Sequence, residues 1–214
     1  DTTIGRVCAL CYSVPLLLSF VLFGFGAQNG NAAGLESPSR LYERVVPSVV
    51  QLEIVKRDGR RSQGTGFFVR SDIVATNHHI VDDLASGKVV LGASGRSFPI
   101  TAVIAVNPEI DLAIILVPGA TGRPVGKFNE SPLRIGAPVY VVGNPAGLTN
   151  TFSKGMVSGT RPVGRNTVMQ LSIQAAPGSS GSPVFDKSGN LAGIVWGRSR
   201  HGDDFVFATP AADL

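Results

Sequence analysis

The distribution of apolar and polar residues from Leu41 onward predicts short β-strands separated by turns. Apolar runs of strand length alternate with Gly, Pro, Asn and Asp roughly every eight to twelve positions, a spacing typical of all-β proteins. No run shows the 3.6-residue period of a helix before the last residues, where Pro210 to Leu214 has the character of a helix start. The chain is therefore expected to be all-β.

The predicted strands fall into two sets, with a segment rich in Pro and Gly between them. The first set is Val49–Val55, Thr65–Arg70, Ile73–Thr76, Lys88–Leu91, Pro99–Val106 and Leu112–Val117. The second set is Pro138–Val142, Thr151–Ser158, Thr167–Ile173, Pro183–Asp186, Leu191–Trp196 and Phe205–Thr209. Two sets of about six strands predict two antiparallel barrels, over residues 41–117 and 133–214, joined by a linker over 118–132.

Residues 1–33 differ from the rest of the chain. Arg6 precedes an apolar stretch over residues 7–27, which a polar segment of small residues follows. This is the layout of a signal peptide, and its length also permits one membrane span, so an uncleaved anchor is the alternative. Both interpretations predict export to the periplasm or the extracellular space. Because Cys8 and Cys11 both lie in this segment, no internal disulfide is expected in the remaining chain.

Composition and charge narrow the function. Hydrophobic residues make up 43% of the 214 positions and charged residues 16%, which is enough apolar material for a sizeable core. The net charge is +4, but the basic residues are scattered apart from Lys56, Arg57, Arg60 and Arg61, which we interpret as a solvated hairpin tip. A nucleic-acid partner is therefore not expected.

Ser180 is the first candidate for chemistry. It lies in Ala176–Pro183, a short loop between two predicted apolar strands, and glycines flank the serine within this loop. A serine nucleophile needs an exposed hydroxyl and backbone N–H groups aimed at an oxyanion, and glycine permits that backbone geometry. A flexible turn has the same composition, so the loop alone leaves both interpretations open. Ser182 stands where the nucleophile elbow G-x-S-x-G has its last glycine, so that motif is absent.

Two other segments carry candidate partners. The predicted strand Ile73–Thr76 ends in a polar turn that carries His78 and His79, and a neutral imidazole there is able to accept a serine proton. Capping, core and metal-binding histidines are the alternatives, although three histidines in all argue against a zinc site. Asp111 opens an apolar strand, where a histidine N–H would compensate its burial, and the alternative is a simple turn residue. The order His, Asp, Ser is that of chymotrypsin and not that of subtilisin or the α/β-hydrolases.

Six runs of residues together resemble the trypsin-like domain of the HtrA/Deg protease family. They are GTGFFV (64–69), ATNHHIV (75–81), DLAIILV (111–117), VVGNPAGL (141–148), SKGMVSG (153–159) and APGSSGSPVFDKSGNLAGIVWG (176–197). The resemblance covers residues 40–212. It implies a chymotrypsin-type fold with two six-stranded antiparallel β-barrels and the active site between them.

The resemblance also implies a role for each candidate residue. His79, and not His78, matches the general base, because it precedes the two aliphatic residues of the family's T-N-x-H-V-V run. Asp111 matches the acid that orients the base, and Ser180 matches the nucleophile. The backbone N–H groups of Gly178 and Ser180 would form the oxyanion hole. No metal or organic cofactor is implied.

Several departures from the family pattern bear on specificity and regulation. Ser179 replaces an Asn and Ser182 replaces a Gly of the family motif. The GSPVF and IVWG runs resemble the glutamyl endopeptidase branch, but that branch carries a His where Val195 stands and a Thr near Ala175, so Glu specificity is not supported. No stretch remains for the PDZ domain that often follows the protease domain, so a protease domain without a PDZ domain is expected.

A pocket for the substrate side chain before the scissile bond is expected beside the nucleophile. In chymotrypsin-like folds the segment before the nucleophile and the strand after it line this pocket, which here assigns Gln174, Ala175, Ala176, Val195, Trp196 and Gly197. These positions offer no acidic residue, so Arg and Lys should be rejected and small aliphatic residues preferred.

The sequence thus predicts a serine endopeptidase that cleaves extended polypeptides through an acyl-enzyme. The alternative is a protease-like module that binds or chaperones polypeptides with little turnover. Polypeptide substrates are the expected partners, with membrane contact only through an uncleaved N-terminal segment, and the sequence leaves an oligomer open.

Overall fold

The computed structural model describes residues 36–92, 94–174, 176–198 and 205–214, and these are mostly β-structure. The N-terminal half contains β1 (Val49–Lys56), β2 (Arg61–Arg70), β3 (Ile73–Asn77), β4 (Leu84–Leu91), β5 (Ser97–Pro99), β6 (Ala102–Asn107) and β7 (Leu112–Leu116). The C-terminal half contains β8 (Pro138–Gly143), β9 (Thr151–Val163), β10 (Asn166–Leu171), β11 (Pro183–Phe185), β12 (Leu191–Arg198) and β13 (Val206–Pro210). Two short helices, α1 (Pro38–Val45) and α2 (His78–Val81), and the 3₁₀ turns Val46–Ser48, Pro145–Gly147 and Ala211–Asp213 complete the described elements. The expected fold class is confirmed.

The N-terminal sheet has seven antiparallel strands in the order β5-β4-β1-β2-β3-β7-β6. Its two end strands follow one another in the chain, separated by Ile100 and Thr101. The Ile100 N–H donates to the Gly87 carbonyl on β4, whereas the N–H of the next residue, Thr101, donates to the Leu116 carbonyl on β7. One chain segment therefore changes partner halfway along, which curls the sheet towards a barrel. For this reason the strand predicted over Pro99–Val106 is divided into β5 and β6.

The C-terminal half is a closed six-stranded barrel in the order β10-β13-β12-β11-β8-β9. All described pairs within it are antiparallel, as expected. The segment between the halves runs from residue 117 to 137 without a helix or a ladder. It contacts the barrel through a parallel bridge between Phe128 and Leu191 and through backbone hydrogen bonds of Gly136 and Ala137 with Val157. The domain boundaries expected from the sequence stay predictions.

The strands nearest the middle of the molecule are buried on both faces, because successive side chains of a strand point to opposite sides. On β2 and β3, Phe68 and Val74 pack inside the N-terminal sheet, whereas Phe67 and Ala75 pack against the C-terminal half. The shared cluster joins Phe67, Ala75 and Leu112 to Tyr140, Val142, Phe185, Leu191 and Ile194. A separate cluster fills the C-terminal barrel. The cleft between the halves therefore rests on a packed apolar interface.

Helix α1 was not expected, and the prediction that no helix precedes the last residues is wrong. The Ser37 hydroxyl accepts a hydrogen bond from the Arg40 N–H at 3.3 Å and caps the helix, while Pro38 occupies its first turn. Leu41 and Val45 are buried in the shared cluster. The helix has only 8 residues, too few for a 3.6-residue period to stand out. At the other end, the expected terminal helix is a 3₁₀ turn over Ala211–Asp213.

The predicted signal peptide or membrane anchor, residues 1–33, lies outside the described residues. Within the part of the chain that the structure describes, neither helix has the length and the hydropathy needed to cross a bilayer.

Candidate active site

His79 lies in α2, a single helical turn that begins where β3 ends. Ile80 and Val81, the next two residues, are buried in the N-terminal core and hold the turn in place. The His79 side chain is 47% exposed, so its ring is accessible to solvent. The Lys56 ammonium, on the basic β1–β2 hairpin, donates to the His79 carbonyl at 3.2 Å.

Asp111 holds His79 through two hydrogen bonds to one carboxylate. Its Oδ2 is 2.6 Å from the His79 Nδ1, and its Oδ1 accepts the His79 backbone N–H at 2.9 Å. The Asp111 carbonyl also accepts the His78 N–H at 3.1 Å and the Asn77 Nδ2 at 3.0 Å. An ionised carboxylate only accepts hydrogen bonds, so the imidazole proton lies on Nδ1. Nε2 is then left as the nitrogen with a free lone pair.

The backbone of Asp111 is unusual for a residue with a side chain. Its φ is 54°, in the left-handed region that Asp tolerates better than most residues. The position is only 8% exposed, and a buried carboxylate without partners would be costly. The bonds to residues 77–79 supply those partners. Of the two histidines, His79 is the one whose ring pairs with Asp111, which agrees with the choice made from the sequence.

Ser180 lies in the loop between β10 and β11, which turns tightly. The Ser179 N–H donates to the Ala176 carbonyl at 2.9 Å, and the Ser182 N–H donates to the Ser179 carbonyl at 3.1 Å. Gly181 has φ 82°, and a Cβ there would lie 2.0 Å from the Thr65 carbonyl oxygen. Position 181 therefore accepts only glycine, which explains one of the glycines around the serine.

The predicted oxyanion-hole groups differ from their neighbours in the loop. The N–H groups of Ser179, Gly181 and Ser182 all donate to backbone carbonyls. Those of Gly178 and Ser180 have no acceptor among the described residues. Gly178 has φ 98°, a conformation that favours glycine. Two unpaired N–H groups beside a serine are the arrangement that a developing oxyanion requires.

Of the three candidate residues, the structure pairs two, His79 and Asp111, through their side chains. Within the described residues, the Ser180 hydroxyl makes no hydrogen bond, and the His79 ring bonds only to Asp111. The Ser180 carbonyl accepts the Thr65 N–H from β2, the strand next to β3, which leads to His79. Hydrogen bonds between a nucleophile and its base are often long in a free enzyme and tighten with substrate.

The residues expected to bind the substrate side chain are distributed unevenly. Gln174 is exposed, and Ala176, Trp196 and Gly197 are partly buried. Val195 is fully buried in the core of the C-terminal barrel. Ala175 lies outside the described residues. Across residues 36–92, 94–174, 176–198 and 205–214, no three His, Cys, Asp or Glu side chains are grouped to hold a metal ion.

The chain is similar to known proteins in sequence and in fold. Residues 64–194 match the family model of the trypsin-like peptidase domain. Serine protease PepD of Mycobacterium tuberculosis is 33% identical over 180 aligned residues, covering 74% of this chain and 38% of PepD. A probable periplasmic serine endoprotease DegP-like of Bartonella henselae is 33% identical over 180 aligned residues, covering 80% of this chain and 35% of that protein. Among solved structures, the Rv3671c protease of M. tuberculosis in its active form has a TM-score of 0.73 at 27% identity, covering 80% of this chain and 79% of that chain.

The fold and the comparisons together define a serine-type endopeptidase domain, the class expected from the sequence. Because the family model spans more than half of its residues, the chain belongs to the trypsin-like peptidase domain family, with relatives of the HtrA/DegP type. The chain spans well under half the length of the two curated relatives.

Sequence reasoning gave no role to two buried polar residues near the loop. Thr65 and Asn144 both lie in runs that carry the family resemblance, GTGFFV and VVGNPAGL. Thr65 is 0% exposed and Asn144 is 2% exposed, and both bond across the two halves. The signal available in the sequence was a polar residue within an apolar, Gly-rich run, where burial demands a partner.

Proposed function

We propose that the chain hydrolyses peptide bonds as a serine endopeptidase, with Ser180 as nucleophile, His79 as general base and Asp111 as the orienting acid. The observation that carries the proposal is the two-point pairing of the Asp111 carboxylate with His79, at 2.6 Å and 2.9 Å. A structural ion pair would need only one of these bonds. Two bonds fix both the tautomer and the direction of the ring, as a base of defined orientation requires.

The reaction proceeds through two acyl transfers. The Ser180 Oγ attacks the peptide carbonyl carbon while its proton moves to the His79 Nε2, and the carbonyl oxygen becomes an oxyanion that the N–H groups of Gly178 and Ser180 stabilise. When the C–N bond breaks, the amine leaves with the proton from His79 and an acyl-enzyme remains. Water then attacks the ester as His79 takes its proton and returns it to the Ser180 oxygen, which releases the acid.

The substrates are proposed to be extended polypeptides with a small aliphatic residue before the scissile bond. The positions assigned to the pocket offer alanines, Gln174, Trp196 and Gly197, and no acidic side chain. A buried Arg or Lys without a counter-charge would cost several kcal/mol, whereas one methylene changes binding by only about 1 to 3 kcal/mol.

Cleavage-site profiling of a denatured protein mixture tests this specificity. Val, Ala or Leu should dominate at the position before the cut, with modest discrimination among them. A dominant signature of Arg, Lys or Glu would overturn the pocket assignment and leave the triad assignment intact.

Export to the periplasm or the extracellular space is proposed on the layout of residues 1–33 and on relatives that are named periplasmic. An uncleaved N-terminal segment that anchors the protein to the membrane is the alternative form of this proposal. The proposal leaves the oligomeric state open. Fractionation of cells that express the full chain distinguishes a released form from a membrane-bound one.

One observation is compatible with a second candidate function, a polypeptide-binding module with little turnover. Among the described residues, the Ser180 hydroxyl is not hydrogen-bonded to His79. A site at rest and a site that never turns over share this feature. The two functions differ in whether Ser180 reacts.

Labelling with a fluorophosphonate probe, which phosphonylates an activated serine, tests the proposed function. The chain should be labelled and should hydrolyse casein, while Ser180→Ala should lose both activities. Ser179→Ala, at the neighbouring serine, is the matched control and should still be labelled. A chain that binds unfolded polypeptide but resists the probe would support the binding module instead.

A further inference from the structure

Thr65 bonds to the loop of Ser180 from the opposite half of the molecule. It lies on β2 with no exposed surface, and its N–H donates to the Ser180 carbonyl at 2.8 Å. Its hydroxyl donates to the Gly178 carbonyl, also at 2.8 Å. A single residue of the N-terminal sheet thus contacts both residues whose N–H groups are assigned to the proposed oxyanion hole.

These contacts fix alternate peptide units of the loop. The unit between Gly178 and Ser179 accepts the Thr65 hydroxyl at its carbonyl and donates from its N–H within the turn. The unit between Ser180 and Gly181 is likewise bonded at its carbonyl by Thr65 and at its N–H by the backbone of β12. The unit that precedes Gly178 and the unit between Ser179 and Ser180 carry the two N–H groups that have no acceptor among the described residues. The Ser179 carbonyl also accepts the Ser182 N–H, so the bonds from Thr65 and those within the turn together set the direction of the two unpaired N–H groups.

Asn144 determines where the Thr65 hydroxyl proton points. The Asn144 N–H and Nδ2 both donate to the Thr65 Oγ1, at 3.0 Å and 3.3 Å. A hydroxyl has one proton, and because both Asn144 groups are donors, that proton is directed to the Gly178 carbonyl. Asn144 is itself held, since its Nδ2 donates to the Val50 carbonyl and its Oδ1 accepts the Asn150 N–H, both at 3.0 Å.

We propose that Thr65 and Asn144 are positioning residues that keep the N–H groups of Gly178 and Ser180 directed into the cleft. The catalytic consequence rests on the proposed function. The hydrogen-bond relay starts in the C-terminal half at Asn144, passes through the N-terminal half at Thr65, and returns to the C-terminal half at the loop. The loop therefore has its competent shape only while the two halves are docked.

Thr65→Val tests the relay, because valine keeps the shape and removes the hydroxyl. We expect kcat on a peptide substrate to fall about 10- to 100-fold with KM little changed, since misplaced groups weaken transition-state contacts more than substrate binding. Thr65→Ser restores the hydroxyl and should recover most of the rate. Thr76→Val is the matched control: the Thr76 hydroxyl is equally buried and donates to the Thr65 carbonyl at 2.8 Å, but not to the loop.

Amide hydrogen exchange over residues 174–186 gives a readout that does not depend on activity. Exchange should accelerate in Thr65→Val and stay unchanged in Thr65→Ser and Thr76→Val. If Thr65→Val does not fold, Thr65→Ala removes the same hydroxyl with less bulk on β2 and is measured in the same way.

The outcomes separate the two proposals. Unchanged kcat in a folded Thr65→Val, or unchanged exchange in the loop, contradicts the relay. Accelerated exchange together with a Ser180→Ala variant that hydrolyses peptides at the full rate supports the positioning of the loop and contradicts the proposed nucleophile. A loss of kcat in Thr76→Val equal to that in Thr65→Val would also contradict the relay, because general destabilisation would then explain both.

Discussion

The two parts of the proposed site are built differently. Asp111 and His79 both belong to the N-terminal sheet, at the adjoining ends of β7 and β3, and four hydrogen bonds join residues 77–79 to Asp111. The Ser180 loop belongs to the C-terminal barrel, yet Thr65 of the other half bonds two of its carbonyls.

The Asp111–His79 pair is held by hydrogen bonds within the N-terminal half alone. The Ser180 loop is held by hydrogen bonds from both halves. The acid and the base keep their geometry as long as β3 and β7 remain paired. The nucleophile loop depends in addition on the interface between the halves. Changes at the pair should therefore act on chemistry alone, and changes around the loop should act on chemistry and stability together.

The largest effect is expected at the base. His79→Ala should lower kcat/KM on the order of 10⁴-fold or more, because the members of a triad act as one unit. His78→Ala is the control, since its ring makes no bond to Asp111 and only its backbone N–H is used. Steady-state hydrolysis of a peptide substrate measures both. A His78→Ala variant as impaired as His79→Ala, or an active His79→Ala, would show that the base is assigned wrongly.

A slightly smaller loss is expected at the orienting acid. Asp111→Asn keeps an oxygen for the His79 N–H but presents an NH₂ group to Nδ1, which reverses the imidazole tautomer. We expect a fall in kcat of roughly 10³- to 10⁴-fold with little loss of thermal stability. Asp82→Asn, at an exposed carboxylate three residues after His79, is the matched control. An Asp111→Asn variant that unfolds, or that reacts with the fluorophosphonate probe at the full rate, would contradict the expectation that this pair affects chemistry alone.

The smallest effect is expected behind the nucleophile. The Ser182 hydroxyl is buried and has no hydrogen-bond partner among the described residues. Ser182→Ala removes an unsatisfied polar group, so it should raise the free energy of unfolding by about 1 kcal/mol. Urea denaturation measures this change. A loss of stability would mean that the hydroxyl has a partner in solution, such as a bound water.

The strands and the candidate residues His79, Asp111 and Ser180 could be predicted because each lies in a short, recognisable run of sequence. Every expected strand corresponds to a described one, since alternating apolar runs between turn residues are a local signal. The bonds from Thr65 to Gly178 and from Asn144 to Val50 join positions 113 and 94 residues apart. No spacing within a motif encodes such contacts, because they exist only once the two halves are packed together.

Helix α1 was missed for a different reason. Its cap and its proline are local signals, but the helix is two turns long and contributes only Leu41 and Val45 to the core. Its packing on the shared cluster, rather than its periodicity, accounts for its presence. The division of β5 from β6 could not be predicted from the sequence either, because it reflects a change of pairing partner and not a break in the apolar run.

The burial of both faces of β2 and β3 also determines how the chain folds. An isolated N-terminal half would expose Phe67, Ala75 and Leu112, which in the intact protein are covered by the C-terminal barrel. The two halves therefore share one apolar cluster in addition to a core of their own, and we expect them to unfold as one cooperative unit. Folding must also close contacts between residues more than a hundred positions apart, such as Thr65 with Ser180, and contacts of that separation make folding slow. A molecule whose proposed catalytic residues are divided between two halves is thus expected to acquire its native structure as a single unit.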